Sequence, residues 1–160
     1  MEKRKVRVFL DSNVVISGLF SDRGAPRVIL DLMSLGLPVL GGITGEYNLL
    51  EIERNLKKKM PEVLHRYREV FPLLNLEITP RPSWSEIQFL KGHTAEKDLP
   101  VLVSAINAKA DFLVTGDIKD FGKAMRRGNY PCRIVTPSEF LQLILPEILD
   151  RLGESSKRRG

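Results

Sequence analysis

Phe112-Leu113-Val114-Thr115-Gly116-Asp117 predicts a short buried strand that ends directly at an acidic residue. Residues 112–115 are apolar or β-branched, which is typical of a strand inside a sheet. The same arrangement occurs near the start of the chain, where Val6–Leu10 runs into Asp11. We therefore predict two strands that each carry an aspartate at the carboxyl end.

The rest of the chain alternates between predicted strands and helices. Further short apolar runs predict strands at residues 38–43, 76–79 and 132–135. Apolar residues at helical spacing predict helices at residues 25–35, 44–59, 61–71, from 83 onward, 98–108 and 137–149. After Asp117 we expect a short irregular or helical piece. Alternating strands and helices predict an α/β fold of three layers, α/β/α, around a mostly parallel central sheet.

Length and composition are those of one ordinary globular domain. The 160 residues are 42% hydrophobic and 28% charged, and no apolar run reaches the roughly 18 residues of a membrane span. We expect a single domain at residues 1–150, a basic, disordered tail at residues 151–160, and no membrane association. The charged N-terminus leads into a strand rather than a signal-peptide core, which favours the cytoplasm. The lone Cys132 lies in an apolar-flanked stretch and is interpreted as a core residue.

The net charge of +5 is concentrated at the two ends of the chain. Residues 1–10 and 151–160 each hold four basic residues and one glutamate, a net charge of +3 apiece, so the rest of the chain carries −1. This charge is compatible with nucleic-acid binding and does not establish it. The interior clusters that could flank a nucleic-acid groove are Lys57, Lys58 and Lys59, and Lys123 with Arg126 and Arg127.

Three aspartates are predicted to converge at one edge of the sheet. Asp11 and Asp117 follow strands, and Asp98 begins the helix that leads into the second of these strands. Ligands of open α/β sheets bind beyond the carboxyl ends of the strands. Each aspartate alone has an ordinary explanation as a helix cap or turn residue, but clustered carboxylates repel one another unless a cation compensates them. Oxygen ligands favour Mg²⁺ or Mn²⁺, and the two histidines, His65 and His93, are interpreted as surface residues.

Four segments of the chain, taken in order, resemble the motif set of the PIN-domain family. They are Phe-Leu-Asp11-Ser-Asn13, Leu-Leu-Glu51-Ile-Glu-Arg-Asn-Leu56, Glu96-Lys-Asp98-Leu-Pro-Val-Leu and Ala-Asp-Phe-Leu-Val-Thr115-Gly-Asp117. The third and fourth segments are fairly specific in combination, whereas the Asp-Ser-Asn turn alone is a weak signal. The resemblance covers roughly residues 6–140 and is strongest to the stand-alone prokaryotic group that includes VapC-type toxins.

This resemblance implies a parallel sheet with a small helical insertion, a homodimer, and cleavage of RNA by an endonuclease that depends on Mg²⁺ or Mn²⁺. VapC-type toxins are encoded with an antitoxin, which makes an antitoxin protein a further expected partner. The motif match assigns the catalytic and metal-holding roles to Asp11, Glu51, Asp98 and Asp117. Residues that would position a carboxylate or a water are Asn13 and Thr115. Two further acids are open to either a supporting role or an ordinary surface position: Glu96 and Asp120.

The choice of the fourth acid depends on the motif match. Glu46, Glu51 and Glu53 lie on one predicted helix, and the last two flank opposite edges of its apolar stripe, so helical geometry alone leaves the choice open. The motif favours Glu51. Glu53 is the alternative, or else a surface residue paired with Lys57 one turn later.

Several other interpretations compete with this one. A haloacid-dehalogenase-like phosphatase would need a second aspartate where Asn13 stands, and a response-regulator receiver would need a lysine after its last strand, where Thr136 and Pro137 stand. Both are disfavoured. Within the PIN family, the alternatives are a non-catalytic scaffold that binds RNA or a protein, and an RNA-processing nuclease that is not a toxin. The complete set of acids argues against the scaffold.

Overall fold

The computed structural model describes residues 4–159, with side chains described for residues 4–153. Its centre is a five-stranded sheet in the order β3-β2-β1-β4-β5, and every neighbouring pair is parallel. The strands are β1 (Val6–Leu10), β2 (Leu40–Gly45), β3 (Glu77–Thr79), β4 (Phe112–Val114) and β5 (Arg133–Val135). The predicted parallel α/β sheet is confirmed.

Helices connect successive strands, as parallel pairing requires. They are α1 (Ser12–Phe20), α2 (Ala25–Ser34), α3 (Glu46–Lys59), α4 (Pro61–Val70), α5 (Trp84–Phe89), α6 (Leu99–Asn107), α7 (Ile118–Arg127) and α8 (Pro137–Arg159). The β1–β2, β2–β3 and β3–β4 connections each contain two of these helices, whereas the β4–β5 connection contains only α7. None of the described helices is both long and apolar enough to cross a bilayer.

Two apolar cores cover the two faces of the sheet. Side chains alternate along a strand, so Val8 and Leu10 of β1 pack into the core built with α1 to α4 and α8. Phe9, between them, packs into the second core with residues of α6 and α7. The sheet is therefore the middle of three layers, as predicted. Cys132 is a buried member of the second core, which confirms its interpretation as a core residue.

The main differences from the sequence prediction are at element ends. β2 begins at Leu40 and ends at Gly45, two residues later than predicted. The short piece after Asp117 is a regular helix, α7, and Asp117 caps it by accepting a hydrogen bond from the backbone amide of Asp120. The last helix runs to Arg159, further than the predicted end near residue 149, and the expectation of a basic, disordered tail at residues 151–160 stays a prediction. The domain limits of 1–150 stay a prediction.

Candidate active site

The acidic residues meet where β1 and β4 end side by side. These two strands are neighbours in the sheet, with Leu10 paired to Val114, so the residues that follow them emerge next to each other. Asp11 follows β1, and Thr115 follows β4. A cleft of about 380 Å³ opens beside them, with Asn13 and Asp117 in its wall. The site lies at the carboxyl edge of the sheet, where it was predicted.

Asp11 is held in place by four hydrogen-bond donors. Its Oδ1 accepts from the backbone amide of Ser12 at 2.7 Å and from Nδ2 of Asn48 at 3.2 Å. Its Oδ2 accepts from the Thr115 hydroxyl at 2.8 Å and from Nδ2 of Asn13 at 3.3 Å. The side chain is buried, and burial raises the pKa of Asp11 to about 6, although the hydrogen bonds from Thr115 and Ser12 oppose that shift.

Asp98 is a buried carboxylate with an unsatisfied oxygen. It ends a short 3-10 turn, Glu96–Asp98, and occupies the position that caps α6, but its side chain makes no capping hydrogen bond. The residue is 7% exposed, and its Oδ2 has no hydrogen-bond partner among the residues that the structure describes. Burial, followed by the negative charge of Asp11, raises the pKa of Asp98 to about 7. A structural capping role therefore does not explain this aspartate.

Asp117 and Asp120 complete the acidic cluster. One carboxylate oxygen from each of Asp98, Asp117 and Asp120 lies within 4.8 Å of the others, a spacing that could hold a metal ion. The ammonium of Lys97 lies 2.7 Å from Asp120 Oδ2 and 3.7 Å from Asp117 Oδ2. Hydrogen bonding to Lys97 holds the pKa of Asp120 below its usual range, and the same contact raises the pKa of Lys97.

Glu51 and Glu53 of α3 face different neighbours. Glu51 is half-buried, and its negative charge is among those that raise the pKa of Asp11. Glu53 instead forms an ion pair with Arg68 of α4, at 3.4 Å. The pairing of Glu53 with Lys57 that we considered from the sequence is replaced by this contact. These contacts favour Glu51 over Glu53 as the fourth acid, and that assignment stays a prediction, while Glu46 is exposed at the start of the helix.

Asn13 and Thr115 tie the two strand ends together. The Oδ1 of Asn13 accepts a hydrogen bond from the backbone amide of Gly116 at 2.8 Å. Thr115 donates its hydroxyl to Asp11, and the same oxygen accepts from the backbone amide of Asp117 at 3.1 Å. These contacts fix the loop after β4 against the start of α1. Both residues contact acids of the site, as the sequence suggested, and Glu96 is exposed beside it.

Two residues of the site were not selected from the sequence. Asn48 is fully buried and donates its amide to Asp11 and, at 2.9 Å, to Ser12 Oγ. The sequence could have indicated Asn48, because it is a polar residue three positions before Glu51 and such residues lie on the same side of a helix. Lys97 is the residue before Asp98 in the chain. The only sequence feature that could have indicated a role for Lys97 is its positive charge next to a predicted acidic cluster.

The basic clusters lie away from the acids. The lysines at positions 57–59 form the last turn of α3, and Arg126 and Arg127 form the last turn of α7. Both helices begin at the carboxyl edge of the sheet, so a rise of about 1.5 Å per residue puts these charges some 12 to 20 Å along the helices from that edge. They could contact an extended nucleic acid beyond the site, and that role stays a prediction.

The two histidines have different surroundings. His65 is an exposed residue of α4 that contacts Glu69, which agrees with the prediction of a surface position. His93 is partly exposed, and its Nδ1 is 2.9 Å from the Tyr130 hydroxyl, so it lies at the surface with one side packed against the protein. The aromatic ring of Tyr130 packs against it and explains the burial. Neither residue belongs to the acidic cluster.

Fold and site together define the class of protein. The PIN-domain family profile matches residues 7–119, which contain all four acids and the strands that carry them. The chain belongs to the PIN-domain family, as its motifs suggested. The phosphatase and receiver interpretations are thereby set aside.

Relatives with known sequences or structures are distant. The uncharacterized protein MJ1680 of Methanocaldococcus jannaschii is 28% identical over 154 residues, which covers 89% of this chain and 94% of that protein. The structure of VapBC2 from Rickettsia felis bound to a promoter DNA fragment is similar with a TM-score of 0.59 at 20% identity, covering 81% of this chain and 98% of that one. FitAcB from Neisseria gonorrhoeae has a TM-score of 0.57 at 17% identity, covering 81% and 97%. At these identities the structural likeness concerns the fold.

Proposed function

We propose that this PIN-domain protein is a metal-dependent endoribonuclease whose site is formed by Asp11, Glu51, Asp98 and Asp117. The observation that carries the proposal is the unsatisfied Oδ2 of Asp98, a 7% exposed carboxylate that lies against other acids. Leaving such an oxygen without a partner is costly, and a bound cation would remove that cost.

The residues of the site fit a small hard cation. Its donors are carboxylate oxygens, and the cluster of Asp98, Asp117 and Asp120 contains no histidine or cysteine. This donor set favours Mg²⁺ or Mn²⁺ over Zn²⁺. Asp11, Asp98 and Asp117 would hold the ion, with Glu51 as the fourth acid. A positive charge here would also favour the ionised forms of Asp11 and Asp98, which burial disfavours in its absence.

A divalent cation at such a site activates water for attack on a phosphodiester and neutralises charge on the phosphate. The protein orients the carboxylates that would hold the ion. Four donors fix both oxygens of Asp11, and Thr115 and Asn13 hold the loop that carries Asp117 against it. The cleft beside Asn13 and Asp117 is open to solvent, so a phosphodiester could approach the acids from that side.

The partners follow from the family and its relatives, and they belong to the proposal. The substrate is RNA, and the protein acts in the cytoplasm as a homodimer. The similar structures carry the names VapBC and FitAB, and two of them are described as bound to DNA. An antitoxin encoded beside this chain is the corresponding partner here. Co-purification with the product of a neighbouring small gene, and the loss of cleavage in that complex, would test this role.

Cleavage of a panel of end-labelled single-stranded and structured RNAs, with Mn²⁺, Mg²⁺ or EDTA, tests the activity. Cleavage should require the metal and should be lost in Asp11→Asn and Asp98→Asn. Asp150→Asn is the matched control, because Asp150 is exposed far along α8 from the sheet edge. Full metal-dependent cleavage by either site variant would overturn the proposed site. A folded, metal-binding protein that cleaves none of the RNAs would favour the binding scaffold.

A further inference from the structure

We infer that Lys97 is a built-in counter-cation of the Asp117 and Asp120 carboxylates, and that a divalent metal ion must displace its ammonium to bind them. This inference rests on the proposed function, since it concerns how the same site takes up its metal. It makes Lys97 a residue that sets metal affinity. Lys97 would then hold the carboxylates together in the absence of metal. The site would bind a metal ion only when the metal concentration is high enough to compete with the Lys97 ammonium.

The position of the ammonium is the first step. Lys97 Nζ contacts Asp120 Oδ2 at 2.7 Å and lies 3.7 Å from Asp117 Oδ2. Oxygens of the same two residues, together with one of Asp98, form the group whose spacing could hold a metal. A lysine ammonium and a metal ion would then be neighbours at contact distance. Because like charges at that separation repel strongly, both cations cannot occupy these oxygens together.

The other half of the site contains no such cation. Asp11 accepts hydrogen bonds only from uncharged groups of Ser12, Asn13, Asn48 and Thr115 among the described residues. Asp98 has an oxygen with no partner at all there. The Lys97 ammonium therefore contacts carboxylates only on the Asp117–Asp120 side, and it acts on Asp98 through its charge without contacting it. A metal ion needs to displace the ammonium only from the oxygens of Asp117 and Asp120.

Lys97 can leave without disturbing the fold. Its side chain is 64% exposed, so the flexible stem has room to turn into solvent. Its backbone is held separately, because the Tyr47 hydroxyl donates a hydrogen bond to the Lys97 carbonyl at 3.0 Å. That contact anchors the 3-10 turn to α3 whichever way the side chain points. Displacement of the ammonium therefore requires a change of rotamer and no movement of the chain.

Isothermal titration of the metal-free protein with Mn²⁺ tests the inference, using wild type, Lys97→Met, Lys97→Arg and Lys119→Met. Lys97→Met keeps the length of the side chain and removes the charge, so it should bind Mn²⁺ about tenfold more tightly. Lys97→Arg keeps the ion pair and should bind like wild type. Lys119 is an exposed neighbour that acts on Asp120 through its charge without contacting it, so Lys119→Met controls for a general electrostatic effect.

Displacement itself is observed by reductive ¹³C-methylation of the lysines and NMR. The Lys97 signal, identified by its absence in Lys97→Arg, should move toward those of the exposed lysines when Mg²⁺ is added. Equal Mn²⁺ affinity of wild type and Lys97→Met, equal tightening by Lys119→Met, or a Lys97 signal that ignores Mg²⁺ would each overturn the inference and leave the proposed nuclease standing. Absence of Mn²⁺ binding in every variant would instead remove the proposed metal site.

Discussion

The hydroxyl of Thr115 donates a hydrogen bond to Asp11 Oδ2 at 2.8 Å, across two neighbouring strands of the sheet. Thr115 is fully buried, and this hydrogen bond is the largest of the contacts that oppose the rise in the pKa of Asp11 caused by burial. The contact also joins the two acids of the strand ends, because the same hydroxyl oxygen accepts from the backbone amide of Asp117.

Replacement of Thr115 by valine should therefore raise the pKa of Asp11 further and shift the acid limb of the pH–activity profile upward. We also expect the variant to lose about 1–3 kcal/mol of unfolding free energy, since it leaves buried polar groups without a partner. Thr115→Ser keeps the hydroxyl and serves as the control. Activity profiles of Thr115→Val and wild type that coincide would show that the hydroxyl has no influence on the ionisation of Asp11.

The stability of the metal-free protein should fall as the pH rises. Burial raises the pKa of Asp11 to about 6 and that of Asp98 to about 7, while the unfolded values lie near 3.8. Between these limits the folded state binds more protons than the unfolded state, so the free energy of unfolding decreases with increasing pH. The stabilising effect of the two protonated acids is complete below the unfolded pKa values and is lost as the pH passes the folded ones.

Urea unfolding in EDTA, at about pH 5 and about pH 8, measures this effect. Asp98→Asn cannot ionise, so it should gain stability over wild type at both pH values, and the gain should be larger at the higher pH by roughly 2 kcal/mol or more. Mg²⁺ should restore the stability of wild type and not that of the variant. A variant less stable than wild type at both pH values would contradict the raised pKa of Asp98.

The choice between Glu51 and Glu53 can be tested directly. Glu51→Gln should lower metal-dependent cleavage by about 10- to 100-fold, because the charge of Glu51 acts on Asp11 and Glu51 is the proposed fourth acid. Glu53→Gln should leave cleavage within about twofold and cost under about 1 kcal/mol of stability, because its exposed ion pair with Arg68 contributes little. Single-turnover cleavage at saturating Mn²⁺ gives the comparison. Equal losses in the two variants would return the assignment to an open question.

Much of the fold followed from local patterns in the sequence. The strand from Val6 to Leu10 and the helix that begins after Ser83 occur where residue type alone indicated them. Asp11 and Asp117 could be placed together because parallel strands of one sheet end at the same edge. Each of these features depends on interactions between residues close in the chain or on the topology of the sheet, and both can be predicted from the sequence.

The rest of the site depends on packing that a sequence does not display. Asn48 contacts Asp11 because β2, which leads into α3, lies beside β1 in the sheet, so its selection needed the three-dimensional arrangement. Lys97 and His93 are ordinary surface residue types, and their partners lie 23 and 37 positions away in the chain. The lysines at 57–59 are close to Glu51 in sequence, yet a helix of that length carries them away from it.

Gly45 gives the last prediction, because it lies against the network that orients Asp11. A Cβ on Gly45 would stand 2.9 Å from Asn48 Oδ1, 3.4 Å from the ring of Phe9 and 3.5 Å from Ser104 Oγ. Its φ is −101°, which any residue can adopt, so substitution acts through steric contact rather than backbone strain. Asn48 is fully buried and has little room to withdraw, so the new methyl group must push its amide away from Asp11.

Gly45→Ala should therefore lower metal-dependent cleavage by about tenfold and weaken Mn²⁺ binding, because Asp11 loses a donor that holds one of its oxygens in place. Gly153→Ala is the matched control. Gly153 lies in α8 with open space around it, so the same substitution there should leave cleavage unchanged and raise the free energy of unfolding by up to about 1 kcal/mol. If Gly45→Ala cleaves RNA and binds Mn²⁺ as wild type does, the hydrogen bond from Asn48 is not needed to position Asp11. The other three donors would then be sufficient to hold that carboxylate.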